Sequence, residues 1–163
     1  MTTAIWAVVA AAALVGIDQA FKAWASAGLA GGSIDLIPGV LSLTYHENFG
    51  AAFGILQNQR VFLVLMTLVI IAGACYLILS GKLYNRYLVW SVALILAGGV
   101  GNLIDRTFNG YVVDYIYFEL INFPIFNFAD CCVVIGTCLV VVYILFEDKF
   151  SKKRHARTVG EED

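Results

Sequence analysis

Four long apolar runs dominate the chain, at about residues 4–25, 61–79, 87–104 and 128–146. The second and third carry no charge; the first is broken only by Asp18, Gln19 and Lys22, and the fourth has Asp130 near its start. Each is close to the ~20 residues a helix needs to cross ~30 Å of hydrocarbon, and none shows the amphipathic period of a surface helix. Lipid gives an open backbone nothing to bond, so these runs predict membrane-spanning helices. Two connecting segments lie on one side, 28–60 and 107–127. In the first, Ile34-Asp35-Leu36-Ile37 meets a Pro38-Gly39 turn, and Leu41-Ser42-Leu43-Thr44-Tyr45 alternates apolar and polar. That pattern predicts a short β-hairpin or curved sheet on the outer membrane surface. In the second, Val112-Val113-Asp114-Tyr115-Ile116-Tyr117-Phe118 is too apolar for a loop in water and is expected to pack against the bilayer or the bundle. The expected fold is an all-α membrane protein, one integral domain over 1–163, with four transmembrane helices and a small extracytoplasmic β element.

Composition agrees. Of 163 residues, 61% are hydrophobic and 13% charged, and the mean hydropathy is +0.84. A soluble domain is nearer half apolar and about a quarter charged. Ala23-Trp24-Ala25 resembles a signal-peptide cleavage site, but no Lys or Arg precedes the first run, Asp18 and Gln19 interrupt it, and three more spans follow; the helix is expected to be retained. Charge then sets orientation. With both termini on one side, seven basic residues fall there (Lys82, Arg86, Lys149, Lys152, Lys153, Arg154, Arg157), against Lys22, Arg60 and Arg106 on the other. The excess places both termini in the cytoplasm. Gly160-Glu161-Glu162-Asp163 reads as a solvated end.

Several chemistries find no pattern. Cys75, Cys131, Cys132 and Cys138 lie in apolar runs with no C-x-x-C and no nearby His46 or His155, so neither a disulfide nor a metal is expected. Gly98-Gly99-Val100-Gly101 does not match a dinucleotide-binding turn, and phosphate-loop, zinc-protease and serine-hydrolase motifs are missing from the sequence. No internal repeat is present. No cofactor and no nucleic-acid partner is expected.

Chemistry instead points to four aspartates, Asp18, Asp105, Asp114 and Asp130, in or beside apolar segments on the outer half. Ionisable groups at membrane depth are costly and are paired or functional. Asp18 and Lys22 are spaced to meet on one helix, and Asp105 adjoins Arg106, although neighbouring helical residues do not face each other. Asp114 and Asp130 have no cation within several residues. Two unpartnered carboxylates in a low dielectric share a proton, leaving one base and one acid, which is the pair an aspartic protease uses. Packing salt bridges or a proton path remain alternatives on position alone. Asn48, Asn102 and Asn127 lie among small residues beside these acids, in Asn48-Phe49-Gly50-Ala51-Ala52-Phe53-Gly54, Gly98 to Arg106, and Phe126-Asn127-Phe128-Ala129-Asp130. Such amides hold a substrate backbone or orient a carboxylate; the glycines serve helix packing or close approach.

Taken in order, Asp18-Gln19-Ala20-Phe21-Lys22, Asn48 to Phe53, Gly98 to Asp114 and Phe126 to Asp130 resemble the motifs of lipoprotein signal peptidase, or signal peptidase II, from the first helix to the fourth. Each block is weak alone; the ordered set is specific. The resemblance implies a multi-pass enzyme of the bacterial cytoplasmic (inner) membrane with its site near the extracytoplasmic face. It would cleave the signal peptide of a prolipoprotein just before a diacylglyceryl-modified cysteine, with substrate and membrane lipid as partners. It implies Asp114 and Asp130 as the catalytic pair. Asn48, Asn102, Asp105, Arg106, Asn127 and Asp18 match residues that support the site or bind substrate, with Arg106 and the asparagines as candidates for holding the peptide and Asp18 and Lys22 as supports. The hairpin and residues 51–57 are expected to cover the substrate. Tyr115 replaces a commoner Phe, and Cys131-Cys132 follow the last motif where small residues are usual. A monomer is expected, since the site is complete in one chain. The alternatives are a small proton- or ion-coupled transporter using the same acids as a relay, and a structural membrane subunit.

Overall fold

The computed structural model describes residues 2–51, 54–83 and 85–159, with side chains described up to residue 146. Four helices result: α1 (Thr2–Gly28), α2 (Arg60–Leu79), α3 (Arg86–Phe108) and α4 (Phe128–Val159). Each contains a stretch long and apolar enough to cross a membrane, which in α4 is Phe128–Phe146. α3 runs past the apolar stretch that predicts it, because Asp105 and Arg106 at its end find partners inside the protein. Asn85 caps its start, accepting from the Tyr87 N–H at 2.8 Å.

The bundle is arranged around α3, which packs against each of the other three helices. Small side chains make this possible: Ala7 and Ala11 of α1, Ala74 of α2, and Ala93 and Ala97 of α3 share one buried cluster with Ile78, Val89 and Val92. Lipid tails are as apolar as these side chains, so close approach of backbones rather than hydrophobic burial drives the association. Outward positions follow the same logic. Val61, Val69 and Leu79 of α2 are 72%, 73% and 77% exposed, suited to lipid and not to water.

Three strands cover one end of the bundle: β1 (Ile34–Ile37), β2 (Leu41–Asn48) and β3 (Val112–Phe118), antiparallel in that order. Gly39 takes a φ of +70° in the turn between β1 and β2, which suits a residue with no Cβ. The predicted hairpin is therefore present. The expected apolar loop over 107–127, however, contains a third strand. It pairs Leu43 with Ile116, His46 with Asp114 and Asn48 with Val112, with a register shift between Leu43 and His46. Four consecutive residues, Val112 to Tyr115, are buried, so β3 is covered on both faces. Val113 and Tyr115 pack on Ala25 and Leu29 at the end of α1. The hairpin is thus hydrogen-bonded into the sheet that carries Asp114, and belongs to the framework of that strand. Of residues 51–57, the other expected cover, 52 and 53 lie outside the described residues.

The tightest crossing is between α3 and α4. A Cβ built on Gly98 would come within 2.2 Å of the Ala129 carbonyl oxygen and 2.7 Å of Val133 Cγ2. Backbone cannot yield as a flexible side chain does. Gly98→Ala should therefore destabilise the folded protein by roughly 1–3 kcal/mol, the range for overpacking. Thermal unfolding in detergent, with Gly16→Ala as the control at an open helix position, checks this. An unchanged midpoint for Gly98→Ala would refute the crossing.

Candidate active site

The start of α4 is built from Asn127-Phe128-Ala129-Asp130. Asn127 Oδ1 accepts from the Asp130 N–H at 2.9 Å, and Asp130 Oδ2 accepts from the Asn127 N–H at 3.2 Å. This reciprocal arrangement is a capping box with Asn and Asp in place of the usual Ser or Thr and Glu. It explains the three-residue spacing and fixes the Asp130 carboxyl at the first turn, where an acidic group also complements the helix dipole.

Asp114 is brought alongside by the strand. After β3 the chain makes a short turn at Glu119–Ile121 and returns, and Phe126 bridges to Ile116 with its carbonyl accepting from the Tyr115 and Ile116 N–H groups. Asn127 follows directly. Its Nδ2 donates to Asp114 Oδ1 at 2.6 Å, so one fully buried amide touches both acids, Asp114 through its side chain and Asp130 through its backbone. Two more amides complete the set. Asn48 Oδ1 is held by the Gly50 N–H at 2.9 Å, which turns its Nδ2 onto Asp114 Oδ2, also at 2.9 Å. Asn102 Nδ2 donates to Asp130 Oδ1 at 2.8 Å.

Beneath this layer lies a charged one. Lys22 Nζ is 2.9 Å from Asp18 Oδ2 and 3.0 Å from Asp105 Oδ2, and all three side chains are within 3% of full burial. The spacing of Asp18 and Lys22 on one helix face is thus used. Asp105, in contrast, does not pair with its neighbour Arg106; its cation comes from α1, and Arg106 Nη2 donates to the Gly50 carbonyl at 2.8 Å. The reason is geometric, since adjacent helical residues point apart. Gln19 donates to Asp105 Oδ1, Asp18 Oδ2 and the Gly101 carbonyl, each at 3.2 Å. Gly101 is required here, because a Cβ would sit 2.5 Å from Asp18 Oδ2.

Asp114, Asp130, Asn48, Asn102 and Arg106 line one cavity of about 930 Å³. Asp18, Lys22, Asp105 and Asn127 lie behind its wall. Its depth is apolar, bounded by Ile70, Ile95, Val133 and Val134. His46, Tyr117 and Cys131 also face it; Cys131 is marked in the sequence by following Asp130, whereas His46 arrives only through the β2–β3 pairing that sets it opposite Asp114. Burial raises the Asp114 carboxyl pKa most, the charge of Asp130 adds to this, and hydrogen bonds from Asn48 and Asn127 oppose it; the group is pushed up to about 7.

The comparisons place this architecture. A family model described as Signal peptidase (SPase) II matches residues 10–146. The lipoprotein signal peptidase of Streptococcus thermophilus (strain CNRZ 1066) is 43% identical over 88% of this chain and 94% of its own. That of Streptococcus pyogenes serotype M5 (strain Manfredo) is 39% identical over 84% and 91%. A solved chain described as a bacterial membrane enzyme superposes with a TM-score of 0.81 at 34% identity, covering 91% of this chain and 90% of that one. Fold and site therefore define a multi-pass membrane peptidase. More narrowly, the chain belongs to the signal peptidase II family. The transport alternative gains no support from these relatives.

The Asp114 shift makes a stability prediction. Its folded-state pKa, about 7, lies above the ordinary carboxylate value of about 3.9. The folded state then binds the proton more tightly. The resulting stabilisation is fully present below about pH 4 and is lost as pH rises through about 7. Its size is on the order of 4 kcal/mol. Asp114→Asn, which resembles the protonated acid at every pH, removes this dependence. Unfolding midpoints of the two proteins should draw apart from pH 4 to 8, with the variant the more stable above pH 7. Parallel curves would refute the shift.

Proposed function

We propose that the chain is an aspartic endopeptidase that removes the signal peptide from diacylglyceryl-modified prolipoproteins, cleaving just before the lipidated cysteine. One observation carries this reading: Asp114 and Asp130 face one cavity and are held by neutral amides, while the available lysine is committed to the other two acids. A carboxylate tied to a lysine is engaged in an ion pair. Amides orient a carboxylate and leave it able to exchange a proton.

In the proposed reaction a water lies between the two acids. The ionised carboxylate takes one of its protons as the oxygen adds to the scissile carbonyl. The protonated partner gives its proton to the departing amine, the C–N bond breaks, and the pair has exchanged its states. Arg106 faces the same cavity and, among the described residues, commits one N–H group to Gly50, which suits it to hold a peptide carbonyl. The apolar depth between α2, α3 and α4 suits the signal helix and acyl chains of such a substrate. The proposed setting is a bacterial cytoplasmic membrane, with both termini in the cytoplasm, the sheet and dyad at the extracytoplasmic end and one chain sufficient. The basic bias of the cytoplasmic segments supports that orientation.

Purified protein in detergent should release the signal peptide from a diacylated prolipoprotein. Asp114→Asn and Asp130→Asn should each lose roughly 10³-fold or more in kcat, the scale of a lost general acid or base. Near-full activity in either folded variant would displace the dyad, and no cleavage by the unmodified protein would overturn the function.

A further inference from the structure

Beneath the proposed dyad, Lys22 has three protons and no acceptor capacity. All three are used: Asp18 Oδ2 at 2.9 Å, Asp105 Oδ2 at 3.0 Å and Asn102 Oδ1 at 2.8 Å. The third contact has consequences beyond charge neutralisation. A donor-only group facing the Asn102 amide obliges its oxygen, not its nitrogen, to point toward α1. Asn127 Nδ2 donates to the same oxygen at 3.2 Å, which strengthens the constraint. The Asn102 nitrogen is then forced outward onto Asp130 Oδ1.

The two acids on Lys22 reach the same place by another route. Asp18 Oδ1 accepts from the N–H of Ala129 at 3.0 Å, and Asp105 Oδ2 accepts from the N–H of Val113 at 3.0 Å. Ala129 immediately precedes Asp130, and Val113 immediately precedes Asp114. One ammonium therefore ties together the two backbone anchors of the dyad and the amide that orients one of its members. Elements up to 111 residues apart in sequence converge on it.

We propose, resting on the peptidase reading of Asp114 and Asp130, that Lys22 is a positioning residue for the reaction: it sets the facing of the Asn102 amide and, through Asp18 and Asp105, the seating of both aspartates. It touches neither substrate nor reacting atoms. Without it, the Asn102 oxygen keeps only the longer contact from Asn127, and a turn of the amide would present that oxygen to Asp130, where a carboxylate that now accepts a hydrogen bond would meet a second acceptor.

The test uses the full chain in detergent micelles. Lys22→Met removes the charge and donors at nearly constant length; because it strands two buried acids and threatens folding, Lys22→Met/Asp105→Asn is made beside it, keeping the cluster's net charge unchanged. Two quantities are read on each folded protein. The first is the kcat and KM split on a lipidated prolipoprotein. The second is the ¹⁵N-resolved side-chain amide signal of Asn102, identified by its loss in Asn102→Asp. Positioning predicts a kcat fall of roughly 10²-fold, the scale of a small misplacement of catalytic groups, with KM nearly unchanged, and an Asn102 amide that is shifted or doubled even where the double variant regains stability. A folded double variant with the original kcat and Asn102 signal overturns the proposal and leaves Lys22 as a neutralising cation. Should the unmodified protein fail to cleave while the Asn102 signal still changes in both variants, the positioning of the amide stands and the peptidase reading falls.

Discussion

Charge at membrane depth has to be matched, and a single lysine decides how matching is distributed here. Four aspartates converge on the end of the bundle. Lys22 satisfies Asp18 and Asp105, and both are fully buried with it. Among the described residues, Asp114 and Asp130 receive their hydrogen bonds from amides, with Arg106 facing the same cavity. In a low dielectric that difference is large. An ammonium at hydrogen-bond distance offsets a buried carboxylate's desolvation with an opposite charge, whereas an amide offsets part of it with a hydrogen bond alone. Division into a lysine-paired set and an amide-held set follows from where Lys22 sits.

The supporting elements are arranged to present that division accurately. Asn127 caps α4 with its oxygen and holds Asp114 with its nitrogen, so the start of the helix and the neighbouring strand are one unit. Ala129 must be small because Gly98 and Gly101 bring α3 against it, and its N–H is bonded by Asp18. β3 is held on one edge by β2 and on the other by Phe126. Its buried N–H at Val113 is satisfied by Asp105. Few polar atoms in this region lack partners, as a buried network requires; Ser42 Oγ is the exception among the described side chains.

Much of this was legible in the chain. Apolar runs marked the four helices, since their length and composition are imposed by the hydrocarbon. Pro38-Gly39 and the alternation after it marked the hairpin. The i,i+4 spacing of Asp18 and Lys22 marked a pair that exists. What escaped was long-range. Nothing local in Val112 to Phe118 reveals that β2, some 70 residues earlier, supplies its partner edge, and a strand buried on both faces shows no alternation. Arg106 looked available to Asp105 only because adjacency in sequence is visible and the approach of α1 is not. An asparagine's side chain suits it to hold either a substrate backbone or a carboxylate. Asn48, Asn102 and Asn127 each donate to a carboxylate, and Arg106 lines the same cavity.

The same arrangement bears on why the site is embedded so deeply in packed structure. A carboxyl whose pKa is raised mainly by burial is, at neutral pH, a source of instability that the remainder of the fold must offset. Exposing Asp114 to water would relieve it and return the group to the ordinary carboxylate range, where it no longer carries a proton at neutral pH. Pairing it with Lys22 would relieve it equally and lock the charge. Only burial with neutral donors retains the proton, and burial with neutral donors requires a strand covered on both faces, a helix start that approaches it closely, and glycines where the helices cross. The packing of α3 against α4 and of β3 against α1 is therefore a condition of the titration behaviour and cannot be relaxed independently of it.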